Sequence, residues 1–323
     1  MCGIVYKSNF YKPTRYADFI DACDKLNHRG PDEFGYLFTK DHSFGHKRLS
    51  IIDIENGKQP MSILNHHLIY NGELYNIDEL QELLKKKNVE LENHSDTLLL
   101  LKMLMTYGTK ALEHLNGIFS FVYTDKDKVI AVRDMFGVKP LYYTLIDNDL
   151  FVASEIKSIL AYKKEAVVNT EGLCELLGMG PSHSQGKTVY KDIYEVKPGN
   201  MLVFDKKNGL RVEQYYRLKV YPFDLTYEET VQGVRALLDR AIQRQMISDV
   251  GISCFLSGGL DSSIISTIAS KHTDRLDTFS IDYEDNIKDF VPNSFEITPD
   301  RVFAEKVSEA IGSKHHKVVI DLS

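Results

Sequence analysis

Met1-Cys2-Gly3-Ile4-Val5 places a thiol at the second residue of the chain. If Met1 is removed, Cys2 carries both a nucleophilic sulfur and a free α-amine. An α-amine has an ordinary pKa of about 7.7–8.0, against about 10.4 for lysine, so near neutral pH it can serve as general base for its own thiol. The thiol, at about 8.5, is already partly ionised and strongly nucleophilic. One residue would then supply nucleophile and base together. The alternative for an isolated cysteine here is a small buried residue beside an N-terminal strand.

The 323 residues favour two domains, and 43% hydrophobic with 26% charged content is ordinary for a globular protein. A net charge of −7 argues against nucleic-acid binding and a basic membrane-surface role. No apolar run approaches bilayer length, and no signal-peptide pattern follows the first residues. Cys2, Cys23, Cys174 and Cys254 are far apart, with neither metal-ligand spacing nor a disulfide framework. A reducing cytoplasm is the expected compartment, and it suits a free thiol.

Periodicity divides the chain. Residues 1–217 are rich in short strands, expected at 4–6, 35–38, 68–70, 118–123, 129–132, 141–143, 150–153 and 201–204. Between them, Ile77, Leu80, Leu83 and Leu84 share a helical face with Asn76 or Asp78 available as cap. Ser95 is placed to cap a second helix through Leu98, Leu101 and Met105. Grouped strands with interleaved helices predict an α+β layered domain. Polar residues 206–208, then 218–225 with Pro222, read as the connection. From 226 to 323 the pattern alternates strand and helix, opening with the capping box Thr226-x-x-Glu229, and predicts a parallel α/β sheet. Residues 283–299 read as a long loop. A parallel sheet of two or three strands with an open edge is expected to be incomplete at its C-terminal side.

Within this second block, Phe255-Leu256-Ser257-Gly258-Gly259-Leu260-Asp261-Ser262-Ser263 stands where a strand hands over to a helix. Glycines let the backbone approach an anion, and a helix N-terminus presents unpaired N–H groups and the positive end of its dipole. Ser257, Ser262 and Ser263 add hydroxyl donors, and Asp261 offers a carboxylate for Mg²⁺. Neither the Walker A pattern nor the dinucleotide fingerprint is present. A plain tight turn remains the alternative for Ser-Gly-Gly alone.

Throughout its length the sequence resembles the glutamine-dependent asparagine synthetases of the bacterial B type. The carrying motifs in the first block are Met1-Cys2-Gly3-Ile4, His28-Arg29-Gly30-Pro31-Asp32 and Gly45-His46-Lys47-Arg48-Leu49-Ser50-Ile51. They continue with Tyr70-Asn71-Gly72-Glu73, Ser95-Asp96-Thr97 and Arg133-Asp134-x-Phe136-Gly137-x-Lys139-Pro140-Leu141-Tyr142. Ser257-Gly258-Gly259-Leu260-Asp261-Ser262-Ser263 and Thr278-Phe279-Ser280-Ile281 complete the set. The first block resembles a class II glutamine amidotransferase of the N-terminal-nucleophile fold, an αββα sandwich. The second resembles part of a doubly wound ATP-pyrophosphatase (PP-loop) synthetase domain.

The resemblance implies that Cys2 attacks the side-chain amide of glutamine, giving a γ-glutamyl thioester and ammonia. It assigns the oxyanion donors to the Asn71 side chain and the Gly72 N–H. It places Arg48 on the substrate carboxylate, through two parallel hydrogen bonds, and Glu73 and Asp96 on the ammonium, with Leu49 and Ile51 beside them. ATP would sit on Leu256, Ser257, Gly258, Gly259, Asp261, Ser262, Ser263 and Ile281, with Asp261 as a Mg²⁺ ligand. Aspartate would be activated as β-aspartyl-AMP and captured by ammonia passed through an internal tunnel. Relatives are often dimers, so a homodimer belongs to the expectation. His28, Arg29, Asp32, Arg133, Asp134 and Glu155 read as paired charges of the scaffold, and His315-His316 as a histidine pair without further metal ligands.

Two departures touch the presumed nucleotide edge: Asp282, where relatives commonly have a small residue, and the 283–299 segment. Leu98 stands where the family has Glu, one turn into a helix. The aspartate-binding charges of the family would lie beyond residue 323, so glutamine hydrolysis without synthesis is one expected outcome. Amination of another carboxylate is an alternative, and a non-catalytic binding homologue a more distant one.

Overall fold

The structure is a computed structural model that describes residues 1–126, 128–181, 184–284 and 300–321. Most of the loop expected at 283–299 lies outside the described residues. Two compact units emerge, Met1–Val220 and Tyr221–Ser323.

Alternation of side chains along the first strand sets the layering of the first unit. In Gly3–Ser8, buried at every position, Ile4 and Tyr6 belong to one core and Val5 to another. This strand lies inside a six-stranded antiparallel sheet ordered Tyr194–Glu195, Tyr142–Ile146, Asp149–Ala153, Gly3–Ser8, His42–Arg48, Glu33–Phe38. A second antiparallel sheet runs Gly209–Gln214, Asn200–Asp205, Lys128–Arg133, Gly117–Asp125, His66–Leu74, Met61–Ile63. Ile4, Tyr6, Phe44, Ile69, Val122 and Leu202 fill the layer between the sheets. On the outer face of the first sheet, Phe19, Ala22 and Cys23 of helix Tyr16–Asp24 pack with Ile159 and Tyr162 of helix Ile156–Lys163. On the outer face of the second, Leu80 and Leu84 of Ile77–Lys85 and Leu100, Leu101 and Leu104 of Asp96–Tyr107 cover Tyr70, Phe119 and Phe121. The result is the αββα sandwich.

Several local expectations are corrected. His42–Arg48 is a fully buried strand that no apolar alternation announces, because its polar side chains find partners inside the fold. Tyr6 Oη lies 2.8 Å from His42 Nδ1, and Lys47 Nζ donates to Asp24 at 2.7 Å. Residues 206–208 are not the connection between units but the turn of a hairpin, its backbone N–H groups donating to Asp205 Oδ1. Asn76 and Ser95 occupy N-cap positions, yet neither side chain makes a cap hydrogen bond. Asn76 instead ties Asn116 N–H and the His114 carbonyl.

In the second unit, strands Ser253–Phe255, Asp277–Tyr283 and Lys314–Ile320 pair in parallel in that order. Helices Leu260–Ala269 and Asp300–Ile311 connect them. The capping box is complete: Thr226 Oγ1 accepts from Glu229 N–H, and Glu229 accepts from Thr226 N–H, opening helix Tyr227–Arg244. Thr226→Ala removes one of these bonds and is expected to cost about 1 kcal/mol in urea unfolding of this unit. His315 and His316 point to opposite faces of their strand. One meets Thr278 and Ser280, the other Asp277, so they cannot share a metal. Among the described residues no helix is long and apolar enough to cross a membrane.

Candidate functional site

Cys2 directly precedes the central strand of the first sheet. Ile4 N–H donates to Ser154 Oγ at 3.0 Å, and Arg29 Nε donates to the Cys2 carbonyl at 2.9 Å. Arg29 in turn donates to Glu155, which also lies 2.9 Å from His28 Nε2. Burial alone would raise the Glu155 pKa, but Arg29, Lys157 and His28 outweigh it and hold the carboxyl at about 2. This charged cluster anchors the backbone of Cys2 and leaves its side chain free of it. The Cys2 sulfur accepts from Leu49 N–H at 3.4 Å and lies 3.6 Å from the Leu49 carbonyl. Burial pushes the thiol pKa up, and the Leu49 N–H offsets part of that. Here the α-amine belongs to Met1, and burial lowers its pKa.

Asn71 and Gly72 do not form the hairpin turn that Asn-Gly usually signals; they lie within the strand His66–Leu74. Tyr70 N–H donates to Gln59 Oε1, on the edge away from the neighbouring strand Gly117–Asp125. Backbone groups two residues apart face the same edge, so Gly72 N–H opens there too, beyond the short Met61–Ile63 strand. A Cβ on Gly72 would come within 2.4 Å of the Ile118 carbonyl, which explains the glycine. Asn71 is buried, and its Nδ2 has no hydrogen-bond partner among the described residues. An unsatisfied buried donor calls for a functional explanation, although Asn71, unlike its neighbours Tyr70 and Gly72, does not itself line the cavity that holds the thiol.

Cys2, Arg48, Leu49, Ile51, Gly72, Glu73 and Asp96 line one narrow cavity of about 30 Å³, together with Gln59, Tyr70 and Thr97. Its two carboxyl groups are perturbed. Burial, reinforced by Asp96, raises Glu73 to about 8; burial raises Asp96 to about 6, with Tyr70, Thr97 and Arg48 pulling it back. Arg48 differs from expectation. Nη1 donates to Glu33 and the Ile54 carbonyl, and Nη2 to the carbonyls of Ile52 and Asp53. The terminal nitrogens that a bidentate grip would use are therefore occupied in shaping the loop after His42–Arg48. Only Nε has no acceptor among the described residues.

Sequence reasoning did not assign Lys139, which is also buried at this site. Asp134 accepts from the N–H groups of Phe136, Val138 and Lys139, and Arg133 donates to the carbonyls of Gly137 and Lys139. This tight loop sends the lysine toward Cys2 and Glu73, whose charges partly offset the lowering of its pKa by burial. The signal was present in the Arg133-Asp134-x-Phe136-Gly137-x-Lys139 motif, where buried charges organise a turn.

In the second unit, Gly259 is the N-cap of helix Leu260–Ala269, and Ser257 Oγ lies 3.0 Å from Ser262 Oγ across the turn. Gly258 has φ +88°, and a Cβ there would lie 2.6 Å from Ala304 N and 2.7 Å from the Asp300 carbonyl. Gly258→Ala is thus expected to displace helix Asp300–Ile311 from the turn and destabilise this unit by roughly 1–3 kcal/mol in urea unfolding. Leu256 is buried, whereas Ser257, Gly259, Asp261 and Ile281 are exposed around the turn. A cavity of about 530 Å³ in this unit lies between helices Tyr227–Arg244 and Leu260–Ala269; of the expected nucleotide residues only Ser263 lines it. Asp282, unusual by resemblance, is buried and faces Arg301 Nη1 at 3.5 Å.

Residues 1–216 match the family of glutamine amidotransferase domains, and residues 233–322 the asparagine synthase family. The chain is 40% identical to the glutamine-hydrolysing asparagine synthetase 3 of Bacillus subtilis (strain 168), over 99% of this chain and 54% of that protein. Identity to asparagine synthetase 1 of the same organism is 34%, over 88% of this chain and 46% of that protein. It is also 34% to the amidase chyE of Penicillium rubens, over 76% and 37%. The chain spans about half the length of the curated relatives it matches. Among solved structures, the glutamine phosphoribosylpyrophosphate amidotransferase of B. subtilis aligns with a TM-score of 0.50 at 16% identity, over 98% of this chain and 65% of that one. An allosteric regulatory enzyme of purine biosynthesis aligns at 0.51 and 17%, over 94% and 70%. At such identities the likeness concerns the fold.

Proposed function

This chain belongs to the family of glutamine amidotransferase domains, and from that premise we propose that its first unit releases ammonia from glutamine at Cys2. The observation that carries the reading is the pair of carboxyl groups, half-buried Glu73 and buried Asp96, that line one cavity with the Cys2 thiol and whose pKa values burial raises. Neither forms a direct ion pair among the described residues, and Lys139 and Arg48 offset only part of the burial of these groups, so a substrate ammonium would complete the charge balance. Cys2 sulfur attacks the amide carbon, and the oxyanion is held by Asn71 Nδ2 and Gly72 N–H. The C–N bond then breaks, and the nitrogen leaves as ammonia with the proton the thiol gave up. Water hydrolyses the thioester to glutamate. With Met1 removed, the α-amine of Cys2 carries that proton; intact mass of active protein that retains Met1 would contradict this step. Glutamine would enter at this cavity, with Arg48 Nε meeting its carboxylate and Leu49 and Ile51 its flank.

For the second unit we propose ATP at the Ser257–Gly258–Gly259 turn, where serine hydroxyls and a helix N-terminus suit phosphate. A lone exposed carboxylate fits a cation only as one ligand among phosphate oxygens, so Asp261 would hold Mg²⁺ together with bound ATP. The acceptor is aspartate: its β-carboxylate displaces pyrophosphate from ATP, and ammonia displaces AMP from the resulting adenylate to give asparagine. The match of residues 233–322 to the asparagine synthase family supports this. Amination of another carboxylate by the same ATP-dependent route is the second reading. ATP–pyrophosphate exchange by the full gene product, run with a series of carboxylates, separates the two; strict dependence on aspartate supports the first. The free, widely spaced thiols and the charge of −7 support a cytoplasmic enzyme, a homodimer by analogy, acting on small molecules and neither on nucleic acid nor at a membrane.

A further inference from the structure

Asn71 and Ser120 are direct partners across the antiparallel strands His66–Leu74 and Gly117–Asp125. Two residues along each strand, Ile69 and Val122 are also partners and lie in the core between the sheets. Alternation therefore projects Asn71 and Ser120 into that same layer. Asn71 is 1% and Ser120 0% exposed. Asn71 Nδ2 and Ser120 Oγ each lack a hydrogen-bond partner among the described residues. Arg133, the partner of Ser120 on the opposite strand, does not fill the need. Its guanidinium is bound to Glu195 and to the carbonyls of Gly137, Lys139 and Val196.

Directly opposed side chains in such a pair have Cβ atoms about 4.5–5.5 Å apart, so one side-chain torsion brings hydroxyl and carboxamide into hydrogen-bond reach. Two orphaned polar groups side by side are uncommon in a native interior, and here they are complementary. A carboxamide has two N–H donors, and only one can face an oxyanion. Its terminal torsion is broad, so the second N–H needs an anchor to fix the first. Resting on the reading of Asn71 as the oxyanion donor, we propose that Ser120 is the positioning residue of that site. Its hydroxyl oxygen accepts one N–H of Asn71 in the reacting complex and thereby directs the other to the oxyanion. Ser120 touches no reacting atom.

Glutamine hydrolysis and thermal unfolding of Cys2→Ala, Asn71→Ala, Ser120→Ala, Ser120→Thr and the Asn71→Ala/Ser120→Ala double variant test this. Ser120→Ala is expected to lower kcat about tenfold with KM little changed, the loss of one orienting hydrogen bond. Its Tm is expected to stay level or rise, since the lost hydroxyl has no partner in the free protein. Ser120→Thr restores kcat, and the double variant is no slower than Asn71→Ala. Wild-type kcat in Ser120→Ala, or additive losses in the double variant, while Cys2→Ala and Asn71→Ala lose activity, would overturn the inference alone. Undiminished activity in Cys2→Ala or Asn71→Ala would overturn the reading beneath it.

Discussion

Cys2→Ala is expected to lower glutamine hydrolysis by roughly four orders of magnitude or more, the usual scale for loss of a covalent nucleophile. Asn71→Ala should cost about 10²–10³ in kcat, as for the loss of one oxyanion donor. The two variants differ in a way that distinguishes site from scaffold. The Asn71 Nδ2 group has no partner to lose among the described residues, whereas deleting a satisfied buried amide would leave its partner stranded. Asn71→Leu should therefore fold with little loss of stability while remaining inactive. Steady-state glutamate release and urea unfolding, measured on the same preparations, check both halves. A strong loss of stability with activity retained would make Asn71 structural.

The second large effect concerns charge. In the ligand-free protein Glu73 titrates at about 8 because burial and Asp96 both disfavour its charge. The glutamine ammonium requires the carboxylate form. KM for glutamine should therefore rise as pH falls below about 8, by up to about tenfold per unit. Glu73→Gln should raise KM about 100-fold and flatten this limb, the size of a lost charge-assisted hydrogen bond. Stability moves the opposite way. A raised carboxyl pKa means the folded state binds the proton more tightly than the unfolded chain. The contribution is complete below the ordinary value of 4.5 and is lost as pH rises through about 8. Ligand-free protein should thus be less stable at pH 9 than at pH 5, by on the order of 2–4 kcal/mol from this group, and Glu73→Gln should remove that slope. Glutamine should restore stability at high pH. Urea titrations across this range, with and without glutamine, test the sign directly.

What could be read in the sequence was what repeats or stands in a fixed local order. The alternation around Ile4, Val5 and Tyr6 sorts their side chains between layers, and Thr226 with Glu229 marks a helix start that both hydrogen bonds complete. Local order failed where tertiary partners decide. His42–Arg48 is buried despite five polar or charged side chains because partners from elsewhere in the fold satisfy them. The orientation of Arg48 could not be read from its neighbours in sequence, since the carbonyls that claim its terminal nitrogens are exposed by the path of the 52–54 loop. Lys139 is brought to Cys2 by a turn wound around Asp134, and Ser120 meets Asn71 only through strand register. The candidate residues were separable by chemistry; their pairing required the fold.

The central claim is that Cys2, and no other thiol, forms the acyl bond to glutamine. Cys174 is the exposed thiol, Cys23 is buried, and Cys254 lies in the second unit. Treating the protein with an electrophilic diazoketone analogue of glutamine, then mapping the adduct by intact and peptide mass, asks the question directly. The account predicts one adduct, on Cys2 of chains that have lost Met1, prevented by excess glutamine. Modification at Cys174 that glutamine does not prevent, or an adduct on Cys2 with Met1 still attached, would contradict it.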